Sequence, residues 1–176
     1  MDKIIIKGGS KISGSINVHG SKNSALPIIV SSLLSKETLK LSNVPNVVDV
    51  LNLIKLLKNY GVKIEHKKNK LKINPSKIKN LSADYDVVRK MRASILILGP
   101  LLSRFGEARI SLPGGCAIGT RPIDIHLAGL SKLGANFEIQ NGFVVGSVKS
   151  QLIGNKIKLP FPSVGATENI LMASVL

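Results

Sequence analysis

Pro122-Ile-Asp-Ile-His-Leu-Ala-Gly-Leu-Ser-Lys-Leu-Gly-Ala-Asn-Phe-Glu-Ile-Gln-Asn-Gly-Phe-Val-Val-Gly-Ser-Val148 decides the fold. Ile123, Leu127, Leu130 and Leu133 recur at helical spacing, Pro122 suits the first helical position, and Gly134 supplies the stop. Asn136 to Gln140 then turns through Asn141-Gly142 into Phe143 to Val148, a strong hairpin signal. Upstream, a helix over roughly Val87 to Ser103 and a strand at Ala108 to Leu112 complete a unit of helix, strand, helix, strand, strand.

The same order occurs earlier. A helix-like stretch begins at Ser21 and precedes a strand at Glu37 to Leu41. A second helix over Asn46 to Tyr60 has Val47, Val50, Leu51, Ile54 and Leu57 on one face and Gly61 at its end. Val62 to His66 and Lys70 to Ile73 alternate as a hairpin through Lys67 to Asn69. Gly61 and Gly134 thus occupy equivalent stops. A third opening, Gly165-Ala-Thr-Glu-Asn-Ile-Leu-Met-Ala-Ser-Val-Leu, ends with the chain, so the sequence reads as cut off inside a third unit. The pattern predicts an α/β fold in which helices pack together inside and sheets lie outside.

Composition bounds the partners. With 176 residues and 44% apolar content, the chain can bury a substantial core. No run approaches a spanning helix and the N-terminus lacks a signal-peptide pattern, which places the protein in the cytoplasm and off the membrane. One cysteine excludes an internal disulfide, and His19, His66 and His126 show no zinc spacing, so no metal is expected. The formal charge is +15, but only five of the 25 basic residues are arginine and aromatics make up 3%. Lys55, Lys58, Lys63, Lys67, Lys68, Lys70, Lys72, Lys77 and Lys79 crowd one region that reads as a solvated surface. Charge without stacking platforms argues against nucleic acid, while a cationic field suits small phosphorylated substrates.

The sole cysteine lies in Ser111-Leu-Pro-Gly-Gly-Cys-Ala-Ile-Gly-Thr-Arg-Pro-Ile-Asp124. A glycine-rich loop leading into a helix start, with Arg121 nearby, favours thiolate over thiol and can receive an anion. A free cysteine is otherwise a small buried hydrophobe, and spacing alone leaves the two readings even.

Four segments together, Gly20-Ser-Lys-Asn-Ser-Ala-Leu-Pro, Met91-Arg92-Ala-Ser, Leu112-Pro-Gly-Gly-Cys-Ala-Ile-Gly-Thr-Arg-Pro-Ile-Asp and Ser163-Val-Gly-Ala-Thr, occur in the order found in one family. Over its whole length the chain resembles the N-terminal part of the UDP-N-acetylglucosamine 1-carboxyvinyltransferases, enolpyruvyl transferases of peptidoglycan synthesis. The related shikimate-pathway transferases share the fold without the Pro-Gly-Gly-Cys loop. The resemblance implies repeated βαβαββ-type units forming an inside-out barrel, with the active site in a cleft between two domains. Residues 1–20 would be strands of a C-terminal domain that is missing here. Residues 21–176 would be an incomplete N-terminal domain, with units at about 21–80 and 81–150 and the start of a third from 151. The implied reaction moves the enolpyruvyl group of phosphoenolpyruvate to the sugar 3-hydroxyl of UDP-N-acetylglucosamine, releasing phosphate, with no metal or redox cofactor.

By the same resemblance Cys116 is the general acid and the target of fosfomycin. Lys22, Asn23 and Arg121 would hold phosphoenolpyruvate. Asn23, Arg92, Arg121, Pro122, Ile123, Asp124, Ile125, Phe161, Pro162, Ser163 and Val164 would meet the nucleotide sugar. Each has a plainer reading: a surface lysine for Lys22, a helix cap for Asn23, an ion pair with Asp86 for Arg92, a first-turn acid for Asp124. Phe161 departs from the family, which commonly has lysine two residues before the serine. His126 reads as structural. The family's aspartate base and further arginines would lie in the absent domain, so the chain alone is expected to be inactive. A non-catalytic UDP-sugar-binding or regulatory module stands as the alternative.

Overall fold

The computed structural model describes residues 3–78, 81, 92–112 and 123–176, and at 92 and 93 the backbone alone. The first unit consists of α1 (Lys22–Ser31), β1 (Leu39–Leu41), α2 (Val48–Asn59), β2 (Lys63–Lys67) and β3 (Lys70–Asn74). The second has a 3-10 helix (Arg92–Ile97) running into α3 (Leu98–Phe105), then β4 (Glu107–Ser111), α4 (Asp124–Lys132), β5 (Ala135–Gln140) and β6 (Phe143–Val148), and α5 (Val164–Ala173) follows. Both units order their strands alike, β1-β3-β2 and β4-β6-β5, with every pairing antiparallel. The last strand of each unit is therefore inserted between the first two, which run parallel.

Punctuation in the sequence sets this register. Gly61 and Gly134 adopt φ of +92° and +97°, a left-handed conformation that a side chain would oppose, and each ends its helix one or two residues before the hairpin. Asn141 and Gly142 at φ +50° and +78° form the tight turn joining β5 to β6, so Asn136 faces Ser147 and Gln140 faces Phe143. One face of each sheet is buried through Leu71 and Ile73 in the first, and Ala108, Ile110 and Val144 in the second. The opposite face of the first sheet exposes Lys40, Lys63, Glu65, Lys67, Lys70 and Lys72. The helices meet inside, α1 on α2 and α5 on both α3 and α4, around Ile29, Leu33, Leu53, Leu57, Leu98 and Leu101, all inaccessible to solvent. Neither three-stranded sheet closes on itself.

Among the described residues, Arg104 and Tyr60 provide polar links between the units. The Arg104 guanidinium donates to the carbonyls of Leu33, Ser35 and Pro75 at 2.7, 2.8 and 3.3 Å. Tyr60, wholly buried at the end of α2, donates its hydroxyl to the Arg109 carbonyl at 3.4 Å, and burial pushes its phenol pKa upward.

The structure corrects element bounds expected from the sequence. Residues 1–20 are expected to be strands of a second domain and to lack their partners in this chain. Residues 3–19 have no regular element, Ile4, Ile5, Ile6, Ile12, Ile16 and Val18 are exposed, and among the described residues no strand pairs with them. The segment is anchored at its end, where Asn43 accepts from the Gly20 amide at 3.1 Å and reaches the Val18 carbonyl at 3.5 Å. The helix expected over Val87 to Ser103 lies partly outside the described residues. Its visible part is a 3-10 turn until Leu98, since Pro100 would clash within a longer α-helix but fits the first turn of α3. The helix expected from Pro122 begins at Asp124, with Ile123 as its cap residue, while the strand expected over Glu37 to Leu41 is confined to Leu39–Leu41.

Candidate functional site

The first turns of α4 and α5 lie side by side. A side chain added at Gly165, second residue of α5, would touch the His126 ring, third residue of α4, at 3.3 Å. The chain between β6 and α5 brings them together. Ile153 donates its amide to the Leu133 carbonyl at 2.8 Å and Asn155 its side-chain amide to Lys132 at 2.9 Å, after which the segment runs back along α4. Between Asp124, Ile125, Ala128, Gly129 and Lys132 on one wall and Ile157 to Pro160 on the other is a largely apolar cavity of about 180 Å³.

Ser163 caps α5, its hydroxyl accepting from the Ala166 amide at 3.3 Å while its carbonyl accepts from the Thr167 hydroxyl at 2.8 Å. Val164 beside it is exposed, and amides in such a first turn have no partner within the helix. Ile123, Asp124 and Ile125 stand at the matching start of α4, with Asp124 exposed and the two isoleucines half-buried. Asp124 and Ile125 line the cavity, while Ile123, Ser163 and Val164 stand at the two adjoining helix starts. Pro162 leads into α5, and Phe161 is exposed.

Lys22 and Asn23 occupy the first two positions of α1, behind the cap residue Ser21. Asn23 stands inside the helix and Ser21 holds the cap position, so the plain capping role suggested by sequence does not fall to Asn23. Pro27 further along α1 has no N–H for the Asn23 carbonyl. Lys22 pairs with Asp49 in the first turn of α2 at 2.8 Å, and both side chains are well exposed. Asp49 went unremarked in the sequence, where only the apolar face of its helix stood out; an acid in a helix's first turn was the available signal. Arg92 begins the 3-10 helix, which packs on α1 and α5, but its side chain is outside the description. Cys116, Arg121, Pro122 and Asp86 lie outside the described residues, and with them the thiol, the phosphate cation and the suggested Arg92–Asp86 pair.

His126 and Asn169 were missed as a pair. Asn169 on α5 is fully buried and bonds the Gly99 amide, the Ile95 carbonyl and His126 Nδ1 at 2.8, 2.9 and 3.2 Å. Burial lowers the pKa of the His126 ring. Among the described residues no helix is long and apolar enough to cross a membrane.

These two repeats with antiparallel sheets outside and helices within have the enolpyruvyl transferase fold. The chain superposes on the EPSP synthase of Acinetobacter baumannii with TM-score 0.70 over 91% of its length and 37% of that chain, at 20% identity. Against the enolpyruvyl transferase NikO of Streptomyces tendae the TM-score is 0.69, at 20% identity over 83% of the chain and 32% of NikO. The family model for EPSP synthase (3-phosphoshikimate 1-carboxyvinyltransferase) matches residues 6–176, and the chain belongs to that family. Among curated relatives it is 49% identical to UDP-N-acetylglucosamine 1-carboxyvinyltransferase 1 of Halalkalibacterium halodurans, over the whole chain and 40% of that protein. It is 51% identical to the UDP-N-acetylglucosamine 1-carboxyvinyltransferase of Campylobacter fetus, over the whole chain and 42% of that protein. The chain thus spans about two-fifths of the length of these relatives.

Proposed function

We propose that the protein transfers the enolpyruvyl group of phosphoenolpyruvate to the 3-hydroxyl of UDP-N-acetylglucosamine, releasing phosphate, as a step in making peptidoglycan precursors. The observation that carries this reading is the pair of adjoining helix starts beside an apolar cavity. The positive end of α5 and its unpaired amides suit a diphosphate, and the neighbouring cavity suits the flat uracil ring. Relatives at about half identity carrying that enzyme's name support the same ligand.

In this assignment Ile123, Asp124 and Ile125 with Phe161, Pro162, Ser163 and Val164 frame the nucleotide, and Arg92 reaches its sugar side. Lys22, Asn23 and Arg121 hold phosphoenolpyruvate by charge-assisted bonds, which strengthen when Lys22 exchanges Asp49 for the substrate anion. The Cys116 thiol gives its proton to the terminal vinyl carbon while the sugar oxygen adds to the carbon bearing phosphate. Loss of phosphate together with a proton from the new methyl group then restores the double bond. The base for the sugar hydroxyl, and further arginines for phosphate, are assigned to a second domain. Residues 1–20 are assigned there as well, which agrees with the exposure of their isoleucines. At position 161 the exposed phenylalanine replaces a cationic contact, so the diphosphate relies more on backbone amides.

The test is phosphate release by the full-length protein. Turnover requiring both substrates and yielding an enolpyruvyl nucleotide sugar is expected; phosphate release without UDP-N-acetylglucosamine, or none at all, would refute the assignment. Residues 1–176 alone are expected to bind the nucleotide sugar without turning over.

A further inference from the structure

One buried amide links three of the segments assigned to the nucleotide sugar. Asn169 has no solvent exposure, so each of its three polar hydrogen-bond needs must be met inside the protein. The Gly99 amide can only donate, which fixes Oδ1 toward it. The Ile95 carbonyl can only accept, which fixes Nδ2 on the other side. The second Nδ2 hydrogen then points at His126 Nδ1, and that nitrogen must act as acceptor. The imidazole is accordingly neutral with its proton on Nε2, next to Gly165. Backbone groups of known polarity settle both the amide orientation and the tautomer.

Ile95 belongs to the 3-10 helix that begins at Arg92, His126 to the first turn of α4, and Asn169 to the helix capped by Ser163. Gly99 permits the arrangement, because a side chain there would run into the Asn169 carbonyl and amide oxygens. We infer that Asn169 is a positioning residue for the nucleotide-sugar site, holding the Arg92, Ile123–Ile125 and Ser163–Val164 segments in register and His126 as the Nε2–H tautomer. An apolar residue there would leave an amide, a carbonyl and an imidazole nitrogen unpaired at the junction of three elements, each able to shift to recover a partner. This inference rests on the function proposed above.

The test uses the full-length protein, with Asn169→Leu set against Leu33→Ala, a core change in the first unit at a fully buried site. Asn169→Leu is expected to raise the Kd for UDP-N-acetylglucosamine about tenfold while the KM for phosphoenolpyruvate stays within about twofold. Leu33→Ala is expected to lower Tm by as much or more and leave that Kd in place. A folded Asn169→Leu protein with unchanged Kd, or an equal rise in both variants, overturns the inference while the functional reading stands. Failure of the wild type to bind the nucleotide sugar sinks that reading and this inference with it. Nitrogen NMR of His126 in the wild type does not depend on either variant folding. A neutral ring protonated on Nε2 at pH 7 is expected, and protonation on Nδ1 overturns the inference.

Discussion

The two units share one strand order and one pair of glycine stops, yet they differ at the connection before their second helix. In the first, residues 42–47 carry the chain from β1 to α2; in the second, residues 112–123 carry it from β4 to α4, a path twice as long and holding the glycine-rich cysteine segment. The helices that follow differ in step. α2 buries Val50, Leu53, Ile54, Leu56 and Leu57, whereas α4 buries only Gly129 and Leu130 and leaves Ile123, Ile125 and Leu127 half-covered. The first unit spends its second helix on the core. The second keeps that helix at a cavity wall, with its first turn beside that of α5. A repeated fold can thus use one copy as scaffold and specialise the other by lengthening one loop.

The sharpest way to break this contrast is at the thiol. In the full-length protein Cys116→Ser is expected to cut kcat by a factor of about a hundred or more while leaving Tm and nucleotide-sugar affinity in place. Retained turnover would remove the chemistry from the second unit. The converse change lies in the first: Leu57→Ala, at a site with no exposure, is expected to cost about 3 kcal/mol in urea unfolding. Leu127→Ala on the half-covered helix should cost about 1 kcal/mol, since less area leaves water. Equal losses would mean that α4 is as much a core helix as α2.

A smaller effect separates the units by pH. Because burial lowers the pKa of His126 below its usual 6.5, the unfolded chain takes up a proton there before the folded one does. Stability should be flat in this respect above about pH 6.5 and fall as pH drops through the window below it. His126→Gln should flatten that part of the Tm profile, and an unchanged profile would contradict the assignment. The smallest effect is expected from Asp49→Asn. Its pair with Lys22 is exposed, so stability should shift by less than about 1 kcal/mol, and the KM for phosphoenolpyruvate should fall as Lys22 loses a competitor. A raised KM would give Asp49 a direct role.

Much of the fold was legible because punctuation is local. Gly61, Gly134 and Asn141-Gly142 act through their own backbone angles, and their hairpins formed where the alternation placed them. Pro100 was equally local but was read as part of a helix, although its ring limits it to the first turn. Residues 3–19 form no strand, in keeping with a segment whose ladder partners are expected in a second domain. The candidate site was legible only as motifs; that the starts of α4 and α5 lie side by side is seen in the structure alone. Asn169 was invisible in this respect. An asparagine in an apolar helix carries no sign that an amide, a carbonyl and an imidazole will meet it from three other elements.

The contrast between the units is tested most directly by mapping backbone amide shifts of the full-length protein during titration with UDP-N-acetylglucosamine. The account predicts changes concentrated at residues 123–126 and 163–166, with the strands from Leu39 to Asn74 undisturbed. Changes centred on the lysine-bearing face of the first sheet, with none at the starts of α4 and α5, would contradict it.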